Sequence, residues 1–512
     1  MLAHVKALTV VLFATVIVFW MAGRAFPELA KGGAVGRQRW AVLLLSAAAF
    51  LAPSIWLYSM VCLLVAATWW MTAPPDDRAE SAAVAWAALL LAVPNVGQAL
   101  PAVGGIGNFL EVQHSRLLTL ALLLPALALT RPDPRRPGLL GVGADWCVLA
   151  YMGLQLLVVF RFASFTTVIR EVVIGSLDTL LPYWVFSRVF VDRARLREAM
   201  RGFVLMALVL AVLAMVESVK HWPFYDAVPE AWGIDWDMSV FLERAGLLRA
   251  KASAGHALVL GFVLVMALGF WGSVKPSGGV WAGLGYLGLA GGLAASLARG
   301  SWVGAGLLVM VQVVLGPQPV KRLLLAGFAG AAAVAVATQI PALQSFVDLL
   351  PFIGHSEGET VDYRRRLVEL SVDLILQSPW LGVPGYANYL EELRQGQGII
   401  DIVNSYISIG LTTGVLGLAS FGGMFLAAIV PLLRLRGRLP AGDEGATMAT
   451  QLVATMLALM SVIATTSSIV VIPQLLYMLV GMGVACARLY APQASPAWPA
   501  RPGVRGLGGH NP

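Results

Sequence analysis

His256 to Gly316 reads HALVLGFVLVMALGFWGSVKPSGGVWAGLGYLGLAGGLAASLARGSWVGAGLLVMVQVVLG, three apolar runs separated only by short breaks. Each run approaches the ~20 apolar residues that a helix needs to cross a bilayer, where lipid offers the backbone no hydrogen-bonding partner. The rest of the chain repeats this pattern, being 58% hydrophobic and 12% charged. The sequence therefore predicts an all-α polytopic membrane protein and excludes a soluble globular domain.

Fifteen apolar runs are candidate membrane spans, and Pro53 leaves one boundary open. The runs cover 7–23, 40–53, 55–71, 82–100, 115–130, 144–160, 175–191, 201–218, 256–274, 279–297, 300–316, 322–340, 404–433, 448–466 and 470–488. A break at Pro53 gives two helices, whereas one tilted helix over 40–71 lowers the count by one and reverses the N-terminus. Since some runs fit half-helices, we expect roughly 12 to 15 helices.

Basic residues cluster in alternate connections between these runs. The clusters are Lys31, Arg37 and Arg39; Arg131, Arg135 and Arg136; Arg193, Arg195, Arg197 and Arg201; Lys321 and Arg322; Arg434, Arg436 and Arg438; and Arg488. Short loops rich in Lys and Arg stay cytoplasmic, and the fifteen spans place all these clusters on one side. The opposite side receives the longer connections 161–174, 219–255 and 341–403, the last with nine acids against four arginines. We therefore predict that the working face is the outer one.

The chain divides into four parts on this interpretation. We expect a transmembrane bundle with outer loops over 1–278, a core containing the outer loop 341–403 over 279–435, further transmembrane helices over 436–490, and a disordered tail over 491–512. The first run lacks a small-residue cleavage site in a polar flank, so we predict a retained span.

The remaining composition excludes several classes of site. The basic residues behind the net charge of +7 lie at the ends of apolar runs, which indicates orientation signals and not nucleic-acid binding. Cys62, Cys147 and Cys486 lie in or beside apolar segments, where a thiol acts as a small buried hydrophobe. Neither a disulfide framework nor a metal cluster is predicted, and no cofactor.

Arg299 is the first candidate site residue, because it interrupts an apolar stretch between two spans. An arginine at the centre of a bilayer costs ~2.5–3.5 kcal/mol or more, so it is generally paired or functional. Gly300 beside it would let a ligand approach the backbone. The alternative is a side chain that snorkels to lipid headgroups; the outer-face position favours a functional role.

A second group consists of Arg244, Arg249, Lys251 and His256. Arg249 and His256 are seven residues apart and share a face if this stretch is helical. His256 opens a span, where a neutral imidazole can accept a proton. An equal alternative is that His256 only caps the helix.

Three consecutive arginines, Arg364, Arg365 and Arg366, form the third group. They cannot all face one way on a helix, so pairing with Glu369 or Asp362 accounts for part of the triplet. We expect one of them to face the site. Arginine suits a diphosphate because its planar fork binds two oxygens and stays protonated.

Asp235-Trp236-Asp237 offers a metal-site alternative, since paired aspartates can hold a divalent metal against a diphosphate. The match is short, and Trp236 also fits an interfacial anchor. The sequence contains no His/Cys set at ligand spacing, no phosphate-binding Gly-Lys-Ser/Thr loop and no Gly-x-Ser-x-Gly elbow. We therefore predict a site without a metal.

Five short motifs in order carry a resemblance to a known family. They are Leu297-Ala298-Arg299-Gly300-Ser301-Trp302, the loop with Arg364, Pro379-Trp380-Leu381-Gly382-Val383, Asn404-Ser405-Tyr406, and Gly414-Val415-Leu416-Gly417-Leu418. Over residues 280–435 the chain resembles the shared domain of O-antigen ligases and O-antigen polymerases. Upstream, Leu181-Pro182-Tyr183 with Arg188, and Arg249 through His256, look like relatives that act in exopolysaccharide export.

The resemblance implies a membrane glycosyltransferase of the bacterial inner membrane that acts on the periplasmic face without a metal. The implied donor is an undecaprenyl-diphosphate-linked oligosaccharide, with membrane lipid and a chain-length regulator as further partners. Arg299, Arg249 and Arg364 match the arginines of the family, with His256 as a further catalytic candidate. Arg244, Arg365, Arg366, Asn404 and Tyr406 are the expected substrate-binding residues.

Val403 departs from the family, since ligases carry a histidine at that position and valine cannot accept a proton. Either the base lies elsewhere, at His256, Glu359, Asp362 or Asp401, or the activity is polymerisation, which we favour. Transfer to a lipid A core or to protein is the alternative. A transporter of lipid-linked sugars is a second alternative, but it would require an internal repeat and midplane charges, which we do not find. Trp236, Tyr386, Tyr389 and Tyr406 can stack on sugar rings.

Overall fold

The structure is a computed structural model and describes residues 2–27, 33–100, 110–130, 136–138, 140–236, 238, 241–244, 246–276, 279–340, 358–383, 385–394, 400, 402–440 and 442–491. Within these ranges the regular structure is helical apart from two antiparallel pairs of two-residue strands. Nine helices of the described part are long and apolar enough to cross a membrane. The predicted all-α polytopic class is confirmed.

The first half of the chain contains ten helices and two strand pairs. The helices are α1 Leu2–Ala25, α2 Ala34–Leu51, α3 Ile55–Thr72, α4 Arg78–Leu89, α5 His114–Ala128, α6 Gly143–Phe162, α7 Phe165–Gly175, α8 Leu181–Arg188, α9 Arg193–Lys220 and α10 Ala227–Trp232. The strands are β1 Gln98–Ala99, β2 Glu111–Val112, β3 Glu243–Arg244 and β4 Leu247–Leu248. A π-helical turn, Thr119–Leu123, lies inside α5, and another, Ser176–Leu180, joins α7 to α8.

The second half supplies eight more helices. They are α11 Ala257–Val274, α12 Gly279–Ala295, α13 Arg299–Val314, α14 Pro319–Thr338, α15 Gly358–Gln377, α16 Ser405–Arg438, α17 Glu444–Ile463 and α18 Ile472–Leu489. Short 3₁₀ turns occur at Phe224–Asp226, Ala252–Ala254, Tyr386–Tyr389 and Glu391–Leu393. Central helices α9, α11, α17 and α18 are the most deeply buried of the membrane-crossing candidates.

Arginines join several loops at one end of the bundle. Arg193 donates to the carbonyl of Leu489 (3.0 Å), and Arg488 donates to the carbonyl of Phe190 (2.6 Å). Arg197 pairs with Glu444, which begins α17. These contacts bring three of the predicted basic loops to the same end, as the alternating charge pattern indicates.

Pro53 separates two full-length helices, so the two-helix prediction for 40–71 is confirmed. Ser54 caps α3, its hydroxyl accepting from the amide of Leu57 (3.5 Å). Arg37 near the start of α2 lies over the ring of Trp69 near the end of α3 (5.4 Å), so the two helices form an antiparallel hairpin.

The N-terminus lies at the end of the bundle opposite the basic loops. His4 hydrogen-bonds Glu230 in α10, within the long 219–255 connection (3.2 Å). Two helices at Pro53 predict that the N-terminus and the basic loops lie at opposite ends of the bundle, and the structure agrees.

The predicted span 82–100 is wrong at its second half. Helix α4 ends at Leu89, and residues 90–97 are irregular before β1. Pro94 removes a backbone donor and disfavours helical geometry before it. Asn95 then holds the returning chain, accepting from the amide of Ser115 (3.0 Å) and donating to Gln113 (2.8 Å).

The predicted outer connection 161–174 is also corrected, because most of it is helix α7. Ser164 begins this helix, its hydroxyl accepting from the amide of Thr167 (3.4 Å). The helix continues through the π turn into α8. A serine N-cap before a mainly apolar stretch favours a helix here.

A break in α16 holds residues 358–394 against the helix bundle. We call these residues the outer segment, after the predicted outer connection 341–403. Gly414 has a left-handed φ of +67°, which interrupts the helix and frees backbone groups on either side. The amide of Val415 donates to the carbonyl of Pro379, and the amide of Val383 donates to the carbonyl of Leu411 (2.7 Å each). Two of the family-like motifs therefore interlock through their backbones.

Helix α15 adds a small core of its own above this break. Its buried residues come from α15, the following turns and the start of α16: Leu367, Leu374, Leu390, Leu393, Ile407 and Leu411. The tail was predicted over 491–512, and all of it after residue 491 lies outside the described residues.

Candidate functional site

The corner between α12 and α13 is the centre of the candidate site. Leu297 there has a left-handed φ of +50°, which turns the chain sharply into α13. The guanidinium of Arg244 donates to the carbonyl of Leu297 (3.2 Å). The amide of Ala250 donates to the carbonyl of Ala295 (3.1 Å). The structure thus brings the segments carrying Arg244, Arg249 and Arg299 to one corner.

Arg299 is the first residue of α13 and is partly buried. Its Nε is fully buried and, within the described part of the chain, has no hydrogen-bond partner. A buried, unsatisfied donor on a charged group is costly. Arg299 therefore presents an unused hydrogen-bonding direction that an anionic ligand can satisfy.

Gly300 does not have the role expected from its sequence position. A Cβ built there would collide with the hydroxyl of Thr465, which follows α17. The missing side chain lets α13 approach the 464–468 segment and does not open the backbone to a ligand. Gly261 in α11 plays a similar part opposite Ser301 and Ala298.

Glu217 holds the loop that carries Arg249. Its carboxylate is completely buried near the end of α9 and accepts three backbone amides, from Phe224 (3.1 Å), Lys251 (3.1 Å) and Ala252 (2.8 Å). Ala252 itself has a left-handed φ of +44°. The carboxylate accepts from three buried amides that would otherwise be unpaired. It therefore stabilises the left-handed backbone of Ala252 beside the site.

Lys251, which the sequence grouped with the site arginines, is occupied by protein groups. Its ammonium pairs with Asp226 (2.7 Å) and donates to the carbonyl of Met238 (2.9 Å). Its side chain is only 7% exposed. Lys251 therefore positions the loop, and the arginines remain the candidates for an anion.

His256 caps α11, which is the alternative that the sequence left open. Its Nδ1 accepts from the amide of Leu258 (3.2 Å). Burial, reinforced by the positive charges of Arg249 and Lys251, lowers the pKa of the imidazole to about 4. The neutral ring must then carry its proton on Nε2, because Nδ1 acts as an acceptor. His256 can donate to a substrate through Nε2, but this tautomer does not serve as a base.

The 464–468 segment, which the sequence did not single out, connects the corner to the start of α16. The hydroxyl of Ser405 donates to the carbonyl of Thr466 (2.7 Å), and Ser467 donates to the carbonyl of Ile402 (2.8 Å). Thr465 at the other end packs on Gly300. A run of hydroxyl residues between two apolar spans was the sequence signal for this contact.

Asn404 and Tyr406, predicted to bind substrate, make structural contacts. The side-chain oxygen of Asn404 accepts from the amides of Tyr406 (2.9 Å) and Ile407 (3.1 Å) and so caps α16. The hydroxyl of Tyr406 donates to the carbonyl of Met460 (2.8 Å). These side-chain oxygens hold the start of α16, which follows Val403, in position.

The three consecutive arginines have different surroundings, as adjacent positions on a helix require. Arg365 pairs with Glu369 (2.9 Å), as expected, while Arg366 pairs with Glu392 across the outer segment (3.0 Å). Arg364 is exposed and has no ion pair within the part of the chain that the structure describes. It is the member of the triplet left available to a ligand.

Trp236 does not lie free as an interfacial anchor. A Cβ added to Gly255 would lie 2.7 Å from the Trp236 ring, so the ring covers the loop before His256. Asp235 is exposed, and Asp237 lies outside the described residues, as do Asp401 and the side chain of Glu359. Among the described residues no group of three or more His, Cys, Asp and Glu is placed to hold a metal ion.

Arg188, another residue of the family-like pattern, lies at the opposite end of the bundle from the corner. It forms a buried ion pair with Asp145 (2.6 Å), which also accepts from the hydroxyl of Tyr183 (2.5 Å). These residues join α6 to α8, and this polar network is structural.

A comparison with protein families matches the region that contains the corner. Residues 284–422 match the family model described as O-antigen ligase. The match includes Arg299, the arginine triplet and the Gly414 break, whereas Arg244, Arg249 and His256 lie upstream of it. No curated protein matches the chain.

Proposed function

We propose that this chain, whose residues 284–422 form a domain of the O-antigen ligase family, transfers glycan from an undecaprenyl-diphosphate carrier. The acceptor we favour is a second carrier-linked glycan, so that the reaction lengthens an O-antigen or exopolysaccharide chain. The proposed location is the inner membrane, with the corner facing the periplasm. The gathering of the basic loops at the opposite end supports that orientation.

The observation that carries this proposal is that the segments carrying Arg244, Arg249 and Arg299 meet at the α12–α13 corner. The departing group of the donor is a lipid diphosphate, which gains charge as its bond to the sugar breaks. Arginines at a poorly hydrated interface stabilise this charge in the transition state. The unpartnered Nε of Arg299 provides a donor that the protein itself leaves unused.

The transfer balances as a single displacement. The acceptor hydroxyl oxygen attacks the anomeric carbon, the bond from that carbon to the diphosphate oxygen breaks, and the diphosphate keeps the electron pair. The hydroxyl proton passes to a carboxylate of the predicted outer connection, with Asp362 and Asp401 as the candidates. His256 contributes a hydrogen bond from Nε2, since its Nδ1 caps α11.

Arg364 completes the proposed site from the outer segment. It is exposed on α15, while its neighbours are held in ion pairs. Arg365 and Arg366 therefore orient the helix, and Arg364 meets the carrier diphosphate. A chain-length regulator is a further proposed partner at this outer face.

The description of the matching family favours a second candidate, ligation of glycan to a lipid A core or to protein. Val403 argues for polymerisation, because it replaces the histidine of ligases with a side chain that cannot accept a proton. The two activities differ only in the acceptor.

The test is an incubation of the purified protein with undecaprenyl-diphosphate-linked repeat units alone. We expect a ladder of products that Arg299→Ala abolishes. Transfer that occurs only after lipid A core or a protein is added would replace polymerisation by ligation. If neither acceptor yields product, glycosyl transfer itself is contradicted.

A further inference from the structure

The helix bundle contains a cavity lined in part by the 464–468 segment. It has a volume of about 420 Å³ and lies between α6, the α7–α8 helix, the first half of α16 and α18. Ser468 lines it, and the hydroxyl of Ser468 lies 2.8 Å from that of Ser405. Thr465 of the same segment packs on Gly300, so the 464–468 segment links this cavity to the corner.

The α16 wall of the cavity presents hydrogen-bond acceptors. Ser405, Ser408 and Thr412 follow one another at helical spacing along this wall. The hydroxyl of Thr412 donates to the carbonyl of Ser408 (2.8 Å), and that of Ser405 donates to the carbonyl of Thr466 (2.7 Å). Because the protons of Ser405 and Thr412 are committed to backbone carbonyls, these two hydroxyls offer only lone pairs to a ligand.

The opposite wall adds two carboxylates, Glu171 from α7 and Asp178 from the π turn. Asp178 is held by Arg116 (2.8 Å) and by the amide of Gln474 (2.7 Å), so its charge is balanced and its position is set. Among the described residues, Glu171 has one ion-pair contact, with Arg170 at 4.0 Å, and its side chain is 41% exposed. None of the described residues that line the cavity is a lysine or an arginine.

Two buried polar atoms near the cavity are left without a partner. Tyr477 of α18 lines the cavity and is 3% exposed, yet its hydroxyl has no hydrogen-bond partner within the described ranges. The side-chain oxygen of Gln474, one turn earlier on α18, is likewise unsatisfied. Of the two, Tyr477 lines the cavity, and an orphaned buried polar group at a cavity indicates a missing ligand or water.

We propose that this cavity binds an uncharged, hydroxyl-rich sugar, the acceptor end of a lipid-linked glycan. A wall of lone pairs and carboxylates suits a ligand that donates many hydrogen bonds, and it repels phosphate. The aromatic ring of Tyr477 and the apolar lining suit the faces of a sugar ring. The assignment of this sugar as the acceptor rests on the proposed function; the binding of a sugar does not.

Exposed apolar side chains on the same helices give a lipid-linked sugar its route. Phe160 of α6 is 67% exposed and Phe165 of α7 is 71% exposed, so this edge of the molecule faces hydrocarbon. A carrier chain can stay in the bilayer while its sugar enters between α6 and α7. The acceptor then approaches from the membrane and not from the outer solution.

The binding test uses photoreactive octyl glucoside, with a diazirine in its alkyl chain, on the full chain in lipid nanodiscs. We expect labelled peptides from α6, α16 and α18. The variant Glu171→Gln/Tyr477→Phe should lower their labelling at least about five-fold, the loss expected for one or more net hydrogen bonds. Matched controls are Tyr286→Phe in α12 and Ser420→Ala on the exposed face of α16, which should label as the wild type does.

Octyl phosphate and octylammonium probes carry the same alkyl chain and diazirine but a charged head group. They therefore distinguish recognition of the sugar from binding of the alkyl chain and from attraction of a charge. Equal labelling by either probe, or full labelling of the double variant, overturns the proposal. If the glucoside labels the cavity but the double variant gives a full product ladder, the sugar is bound there without being the acceptor. If the wild type makes no ladder while the labelling holds, only the proposed transfer has failed.

Discussion

The guanidinium of Arg244 donates to the carbonyl of Leu297, 3.2 Å away, across the corner where α12 meets α13. Leu297 has a left-handed φ, and this conformation is unfavourable for a branched side chain. A charge-assisted bond therefore stabilises the turn that presents Arg299. The proposed catalytic charge and the backbone geometry are coupled at this point, and single substitutions can separate them.

Arg299→Ala should lower transfer by roughly 10²–10³-fold, the range measured when one donor to developing negative charge is removed. Arg299→Lys should retain part of the activity, because lysine keeps the charge but loses the planar fork. The measurement is the initial rate of ladder formation at equal amounts of inserted protein. Arg322→Ala, at an exposed arginine of α14, is the control and should leave the rate unchanged.

Glu217→Ala should destabilise the protein by about 3 kcal/mol or more, because three buried amides lose a charged acceptor. Glu217→Gln keeps one acceptor oxygen, so its stability should lie between that of the wild type and that of Glu217→Ala. Thermal unfolding in detergent measures the difference. The control is Glu230→Ala, whose carboxylate is 74% exposed in α10; an equal loss in this control would contradict the special role of Glu217.

Gly414→Ala should detach the outer segment from α16. The added Cβ would lie 2.5 Å from the carbonyl oxygen of Pro379, and alanine in the left-handed region costs a further ~1–2 kcal/mol. Limited proteolysis of residues 358–394 reports the detachment. Gly422→Ala on the same helix meets no atom within 4 Å and should be neutral or slightly stabilising.

His256→Asn should remain active, because asparagine keeps a cap acceptor and an N–H donor, whereas His256→Ala should lose about 1 kcal/mol of stability. A transfer rate abolished in His256→Asn would make the imidazole a base after all. The readouts are the melting temperature and the ladder rate for each variant.

Acid should reveal the depressed pKa of His256, which is about 4 in the folded protein. The unfolded chain binds its proton near pH 6.5, so between these values the unfolded state holds more protons. The contribution of His256 to stability is then complete above pH 6.5 and is lost as the pH falls towards 4. His256→Asn should remove that part of the pH dependence in thermal unfolding between pH 4 and 7.

Asp235→Ala should leave transfer unchanged, and EDTA should not inhibit it. Asp235 is exposed and its neighbour Trp236 is used in packing on Gly255. The assay is ladder formation with and without chelator, with added Mg²⁺ as the control. Inhibition that Mg²⁺ reverses would revive the metal alternative.

Local signals located the spans well and their interruptions less well. Apolar length placed α11, α12 and α13 close to their observed bounds, because hydrocarbon thickness sets the length of a span whatever surrounds it. The same signal passed over Pro94 and extended α4 by eleven residues. It also left α7 as a connection, because the stretch 161–174 lies between two predicted spans.

The arginines of the candidate site were chosen from the sequence. The residues that hold its loops in place were not. Arg299 stood out because an arginine between two apolar runs is rare and costly. Glu217 and the 464–468 segment did not stand out. Two of the three partners of Glu217 lie 34 and 35 residues away, and the partners of Ser405 lie more than 60 residues away.

The sequence by itself determined the class of this protein and the two ends of its bundle, and it supplied the candidate basic groups for an anion, since length, hydropathy and charge act locally. Only the tertiary structure decided which polar groups remain free for a substrate. Asn404, Tyr406, Lys251 and the Nδ1 of His256 are all engaged by backbone or side-chain groups, whereas the Nε of Arg299 and the hydroxyl of Tyr477 have no hydrogen-bond partner in the described part. The physical reason is that a hydrogen bond satisfied within the protein is unavailable to a ligand, and the partners are set by contacts far apart in the chain.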